Sequence, residues 1–234
     1  RREHGRSVTE EQLEAAAYVM LFTTVPSSRL SATRCVDAYR LRWQIEKRHR
    51  ATYADVEAAP PNTIAELIGG SLHVMPRPAP RPALASSALG AELGGPFQRG
   101  RGGPGGWWIL DEPELHFPTP ADPGEIDVVV PDLAGWRRTR MPKLPETAHF
   151  TLAPDWVCEV LSKSTEEVDR GDKMDLYARE GVGHVWLVDP IARRVEVLAL
   201  VRGRWAEALV YEDEARVRPP PFEAFELELS ALWA

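Results

Sequence analysis

A chain of 234 residues, 44 % apolar and 27 % charged, has the composition of a globular protein with room for one cored domain and an appendage. No run reaches the roughly 20 apolar residues of a membrane-spanning helix, and the opening RREHGRSVTEEQ has no signal-peptide core. The net charge of −7 argues against a uniformly basic nucleic-acid binder.

Charge is unevenly spread: residues 1–50 carry ten Lys/Arg against six Asp/Glu, and the remainder 18 against 29. A basic leading segment and an acidic body suggest two pieces of different origin. In the first piece, Ser7 or Thr9 caps a helix, YVMLFTTVP reads as a buried strand, and Ser31 caps an arginine-rich helix. A Thr52 cap, a short helix and a Pro-Pro break then open the second piece, and a turn at Gly69-Gly70 leads into the strand SLHVM. ALASSALGAELGGPF is a helix of small residues and QRGRGGPGG is a loop. WWILDEPELHF, EIDVVVPDLAGW and DWVCEVLS follow as three strand candidates. DRGDKMDLYAREG is a helix closed by Gly181, and HVWLVDP, RVEVLAL and WAEALVYE complete a strand series before the closing FELELSALW. This order predicts an α/β fold with a mixed central sheet flanked by helices.

Asp132 follows the apolar run IDVVVP, and Glu159 lies inside WVCEVL. A carboxylate in an apolar strand is costly unless it meets a cation or hydrogen-bond donors. Two of them on adjacent strands make a hard oxygen site suited to Mg²⁺, or Mn²⁺, with Lys173 beside it to orient or deprotonate water and stabilise charge on a phosphodiester. The same residues also read as a Pro-Asp turn, a sheet-edge glutamate and a solvated helix lysine. Cys35 and Cys158 show no metal-ligand spacing and read as reduced thiols in a cytoplasmic protein.

VVVPDLAGW, PDWVCEVLSKST and DRGDKMDLYAREGVGHVWLVDP closely resemble the Uma2 family of restriction-endonuclease-like proteins, of the PD-(D/E)XK nuclease superfamily, from about residue 51 to the C-terminus. The resemblance implies a restriction-endonuclease-like fold, metal-dependent hydrolysis of nucleic-acid phosphodiesters, most simply DNA, and Asp132 and Glu159 as metal ligands. The superfamily lysine two residues after the second acid is here Leu161, and Uma2-like sequences supply the amine from the following helix, at Lys173, with Lys163 as its rival. Glu66 in AELIGG matches an acid of the entry segment, and Tyr177, one helical turn beyond Lys173, either faces the same cleft or packs as a helix aromatic. Asp127 is an alternative to Asp132 without the Pro-Asp context. Relatives read Ile-Asp-Gly where this chain has Ile68-Gly69-Gly70, and a histidine where it has Arg81-Pro82; both departures favour a second reading, an inactive nuclease fold serving as a binding or regulatory module. Arg99 and Arg101 are candidates for phosphate contact or members of a plain connector. Trp107 and Trp108 are candidates for base stacking or buried strand aromatics. The acidic body implies that DNA affinity depends on the metal and on a homodimeric arrangement.

YRLRWQIE resembles the C-terminal core of IS4-type insertion-sequence transposases, with Tyr39, Arg42 and Glu46 as the Tyr–Arg–Glu signature. The resemblance implies Glu46 as the last of three metal-binding acids. Position 53, where the signature has lysine, is Tyr53. With one acid of three, residues 1–50 are expected to be a truncated remnant without transposition activity. The segment reads either as a residual DNA contact through Arg40, Arg42, Lys47, Arg48 and Arg50, or as a basic appendage without function.

Overall fold

The computed structural model describes residues 50–120, 122 and 124–233. The chain divides between Arg50 and Ala51. The helices and strand expected before residue 50, with Cys35, Tyr39, Arg42 and Glu46, lie outside the described residues.

Thr52 starts helix α1, Tyr53–Glu57, and its N–H donates to the Asp55 carboxylate three residues on, half of the reciprocal cap that satisfies a helix start. Strands β1, Thr63–Ile68, and β2, Ser71–Pro76, form an antiparallel hairpin that closes with Ile68 opposite Ser71. Gly69 and Gly70 hold φ of +59° and +81°, the left-handed pair that a two-residue hairpin turn requires. Glycine at position 69 therefore suits the turn, and its N–H donates to Asp127 Oδ1 at 2.7 Å.

Helix α2, Pro80–Leu93, begins with Pro at a position where a missing N–H costs nothing and runs into a π-helical turn, Gly94–Gln98. The glycine-rich loop then leads to β3, Trp107–Asp111, and on to β4, Leu115–Pro118, β5, Ile126–Val129, and β6, Leu133–Arg137. Two expected strands are each divided. WWILDEPELHF splits into β3 and β4, and EIDVVVPDLAGW into β5 and β6, with the members of each pair in different sheets. The second break falls at Val130-Pro131-Asp132, where a proline cannot donate to a ladder.

Strand β7, Trp156–Val160, is followed by two short helices, α3, Glu166–Arg170, and α4, Asp172–Arg179, in place of the single helix expected there. The break is at Gly171, where a Cβ would lie 2.9 Å from the Glu167 carbonyl oxygen. Gly181, φ +76°, closes α4 as expected. The chain then forms β8, His184–Asp189, β9, Arg194–Val201, β10, Arg204–Trp205, β11, Leu209–Glu212, β12, Arg216–Val217, and β13, Leu227–Glu228, before a 3₁₀ turn, Leu229–Leu232. WAEALVYE thus contributes two strands rather than one.

One sheet has the order β2-β1-β5-β4; the larger runs β10-β9-β8-β7-β6-β3, with β11 also on β9. In the larger sheet β7 and β8 are parallel and the other pairs antiparallel, the mixed α/β architecture expected. Alternation along β7 sends Trp156, Cys158 and Val160 into a core with α2 and the C-terminal segment, and Val157 into a second core. That second core holds Ile68, Val129 and Leu115 of the small sheet and Met174, Leu176 and Tyr177 of α4. Glu159 shares the parity of Val157, so it points to the layer where the two sheets and α4 meet.

Asp127 serves the fold. Besides the Gly69 N–H, it accepts a bond from Arg179 Nη2 at 2.8 Å, tying the hairpin turn to α4. Asp127→Ala is expected to lower stability by about 2–3 kcal/mol, since it removes two charge-assisted bonds from a buried carboxylate. Urea denaturation checks this, and an unchanged midpoint would remove the assigned role.

Candidate active site

Lys173 enters from the first turn of α4 with its side chain 3 % exposed. Its Nζ lies 2.9 Å from Glu159 Oε2, 3.1 Å from Glu66 Oε1 and 3.2 Å from Asp169 Oδ1. An ammonium has three protons, and three carboxylates from β1, β7 and α3 take them. Tyr177, four residues on along α4, donates its hydroxyl to the other oxygen of Glu159. Glu66 Oε1 also accepts the Val130 N–H at 2.7 Å, while its Oε2 is buried without a hydrogen-bond partner. Asp132, half-buried between β5 and β6, accepts the Val160 N–H on Oδ2 at 2.7 Å, which ties it to the residue after Glu159.

The structure therefore brings together Glu66, Asp132, Glu159, Lys173 and Tyr177. It leaves Lys163 exposed and outside the cluster. Asp169 was not among the residues singled out from the sequence. In DRGDK it looks like one more acid of an exposed helix, although its spacing of four from Lys173 is the usable signal. Arg170 beside it forms a two-pronged pair with Glu196 of β9, at 3.0 and 2.8 Å, and this anchors α3 to the sheet.

A cavity of about 170 Å³ opens onto this cluster, lined among others by Asp132, Glu159, Asp169, Lys173, Ser162 and Arg77. Glu66 and Tyr177 stand behind, reaching it only through Lys173 and Glu159. Pro82 forms apolar wall where a histidine was expected in relatives. Trp107 is buried in the first core and Trp108 is covered by the Arg138 guanidinium with its Nε1 on the Met141 carbonyl, so these rings pack rather than await bases. Arg99 and Arg101 are exposed in the glycine-rich loop.

Burial works against the charge on Lys173, but Glu159, Glu66, Tyr177 and Asp169 outweigh it and hold the ammonium well above the usual lysine value. Burial raises the Glu159 carboxyl, opposed by Lys173 and reinforced by Asp169, Asp132 and Glu66. Burial likewise lifts Asp132 to about 6, against the Val160 hydrogen bond and Lys173. If all four acids ionise, they carry four negative charges against one ammonium. Like charges about 4–6 Å apart repel by roughly 3–4 kcal/mol at an effective protein dielectric, so the group retains protons or takes a further cation.

Among the described residues no group of three or more His, Cys, Asp and Glu side chains is placed to hold a metal ion. Mg²⁺ asks for less: one or two carboxylates, with water completing its shell. The oxygen-only donors at the cavity and their surplus negative charge fit that open kind of site.

The mixed sheet thus carries a carboxylate–lysine cluster at its junction with a second sheet. Residues 50–231 match the family model Uma2, described as "Putative restriction endonuclease", and the chain belongs to that family. It is similar in structure to a crystal structure titled as a putative nuclease belonging to DUF820 from Anabaena variabilis, with a TM-score of 0.59 and 22 % identity over 73 % of this chain and 89 % of that one. At that identity the likeness is one of fold. The chain is also 53 % identical over 45 residues to two proteins from Escherichia coli, one named "Putative transposase InsL for insertion sequence element IS186A" (strain K12) and one named "Transposase for insertion sequence element IS421". The matched stretch is 19 % of this chain and 12 % of the length of each relative.

Lys173→Met is expected to cost about 3–5 kcal/mol at pH 7, because it strands buried carboxylates. In the wild type the raised lysine value keeps this stabilisation present below about pH 10.4, to be lost as pH climbs through the folded value. In the variant the orphaned carboxylates hold protons more tightly folded than unfolded, so its stability falls as pH rises from about 4. The deficit should therefore shrink at pH 5. Denaturation at the two pH values measures it; a pH-independent deficit would contradict the pairing.

Proposed function

We propose that the cavity at the sheet junction is the active site of a metal-dependent endonuclease that hydrolyses phosphodiester bonds of DNA. The observation that carries this reading is the surplus of carboxylates around a single ammonium at the floor of an open cavity. Asp132 and Glu159 would hold Mg²⁺, or Mn²⁺, and the bound ion would supply Lewis-acid activation of water and neutralise charge on the phosphate.

The chain's own residues do the rest. Lys173, kept protonated, holds Glu159 and Asp169 apart in one arrangement and offsets their charge. It acts through position and charge, since an ammonium held above its usual value is a poor base. Tyr177 fixes the Glu159 rotamer by donating to the oxygen that Lys173 leaves. Asp132, tied to the Val160 N–H, presents its other oxygen beside the cavity. Glu66 restrains Lys173 from behind.

One observation favours a second reading, a nuclease fold retained as a binding or regulatory module. All three Lys173 protons and both Glu159 oxygens are engaged within the cluster, so Lys173 and Glu159 are already committed to one another and to their neighbours.

Supercoiled plasmid is the test substrate. Nicking with Mg²⁺ or Mn²⁺ is expected from the wild type, reduced about 10²-fold or more in Asp132→Asn and Glu159→Gln. At sub-saturating Mg²⁺ activity should fall as pH drops through about 6, because a proton on Asp132 then competes with the ion. A folded wild type that nicks nothing with either ion would displace the enzyme reading in favour of the module.

A further inference from the structure

The cavity that faces a phosphodiester is lined by three carboxylates, and these repel the substrate that the proposed function assigns to it. Among the described lining residues the cations are Lys173, buried at the floor, and Arg77 at the rim. Arg77 follows directly on β2 in the run PRPAP. The prolines on either side restrict its backbone to an extended form, so the side chain is presented from a stiff support at little entropic cost.

Arg77 is not free in this structure: its Nη1 lies 2.6 Å from Glu112 Oε2, with 55 % and 40 % of the two side chains exposed. An exposed pair of this kind adds little to stability. The backbone at Glu112 is less ordinary. It takes a φ of +43°, unfavourable for a residue with a Cβ, at the point where β3 leaves one sheet for β4 in the other. Its N–H donates to the Asp132 carbonyl at 3.1 Å. A strained residue is thus fastened to a cavity acid through its backbone and to the rim arginine through its side chain.

We infer that Arg77 is the phosphate-binding residue of this cleft, and that Glu112 holds it at the rim until a nucleic-acid phosphate displaces the carboxylate. This rests on the proposed nuclease reading for the substrate class, but it concerns binding rather than cleavage. A guanidinium matches a phosphate with two parallel N–H donors, and a phosphate of the entering strand offers more charge than a half-exposed carboxylate. Arg77 therefore takes a phosphate beside the one under attack. Glu112 competes for the same guanidinium, which excludes weakly charged ligands.

Binding of a short fluorescein-labelled DNA, single-stranded and duplex, is measured by anisotropy with the full chain in Ca²⁺ and in EDTA across a salt series. Arg77→Ala is expected to raise Kd about 5- to 10-fold and to lower the slope of log Kd against log salt by about 0.7 to 0.9, one phosphate contact. Glu112→Gln should tighten binding about 2- to 5-fold, and in the double variant that gain should vanish. Both side chains are exposed, so unaltered melting of each variant confirms folding. Unchanged Kd and slope in Arg77→Ala, a Glu112→Gln gain that survives without Arg77, or no DNA binding by the wild type would each overturn the inference. Nicking that is indifferent to Arg77 would leave the nuclease reading intact. Arg77-dependent binding without nicking would do the reverse.

Discussion

The ammonium of Lys173 sits among carboxylates from three separate elements, and much of the second core is arranged around that contact. Burying one charge without compensation is prohibitive. Here the compensation is overshot: β1, β7 and α3 each send an acid to one nitrogen, and a fourth acid stands at the cavity. The lysine gives three of these acids a common partner, beside the Tyr177 hydroxyl on Glu159 and the Val130 N–H on Glu66, and it leaves the total charge unbalanced. Under the proposed function a divalent cation would offset this surplus.

Topology explains how acids distant in sequence reach one point. The small sheet delivers Glu66, and the passage between sheets at Pro131 delivers Asp132. The parity of β7 turns Glu159 to the same layer, and the break at Gly171 lets α3 and α4 present Asp169 and Lys173 from successive helices. Around them, ties with no chemistry of their own hold the parts in register. Asp127 links the hairpin turn to α4, Arg170 links α3 to β9, and Tyr177 sets the Glu159 side chain.

Much of this was legible in the sequence. An acid in the apolar run WVCEVL announced that it needed a partner, and Lys173 is that partner, while Lys163, closer in sequence, is exposed. The hairpin at Gly69-Gly70 and the stop at Gly181 follow from glycine's tolerance of positive φ. Asp169 was not legible, because acids on a charged helix look alike until the packing of that helix is known. Nor were the divided strands: WWILDEPELHF and EIDVVVPDLAGW keep strand composition throughout, and a change of sheet is a tertiary event marked only by Glu112 and Pro131. For Trp107 and Trp108 the sequence offered base stacking or burial in a strand, and the packing commits them to the core and to Arg138.

The measurement closest to the central claim counts ions. Titration of the wild type with Mn²⁺, followed by the electron paramagnetic resonance signal of the free ion, is predicted to show one saturable site per chain that is weakened at least tenfold in Asp132→Asn. A wild type that binds no Mn²⁺, or an ion whose affinity is indifferent to Asp132, would mean that the surplus charge around Lys173 is met by protons alone and that the cavity is not a metal site.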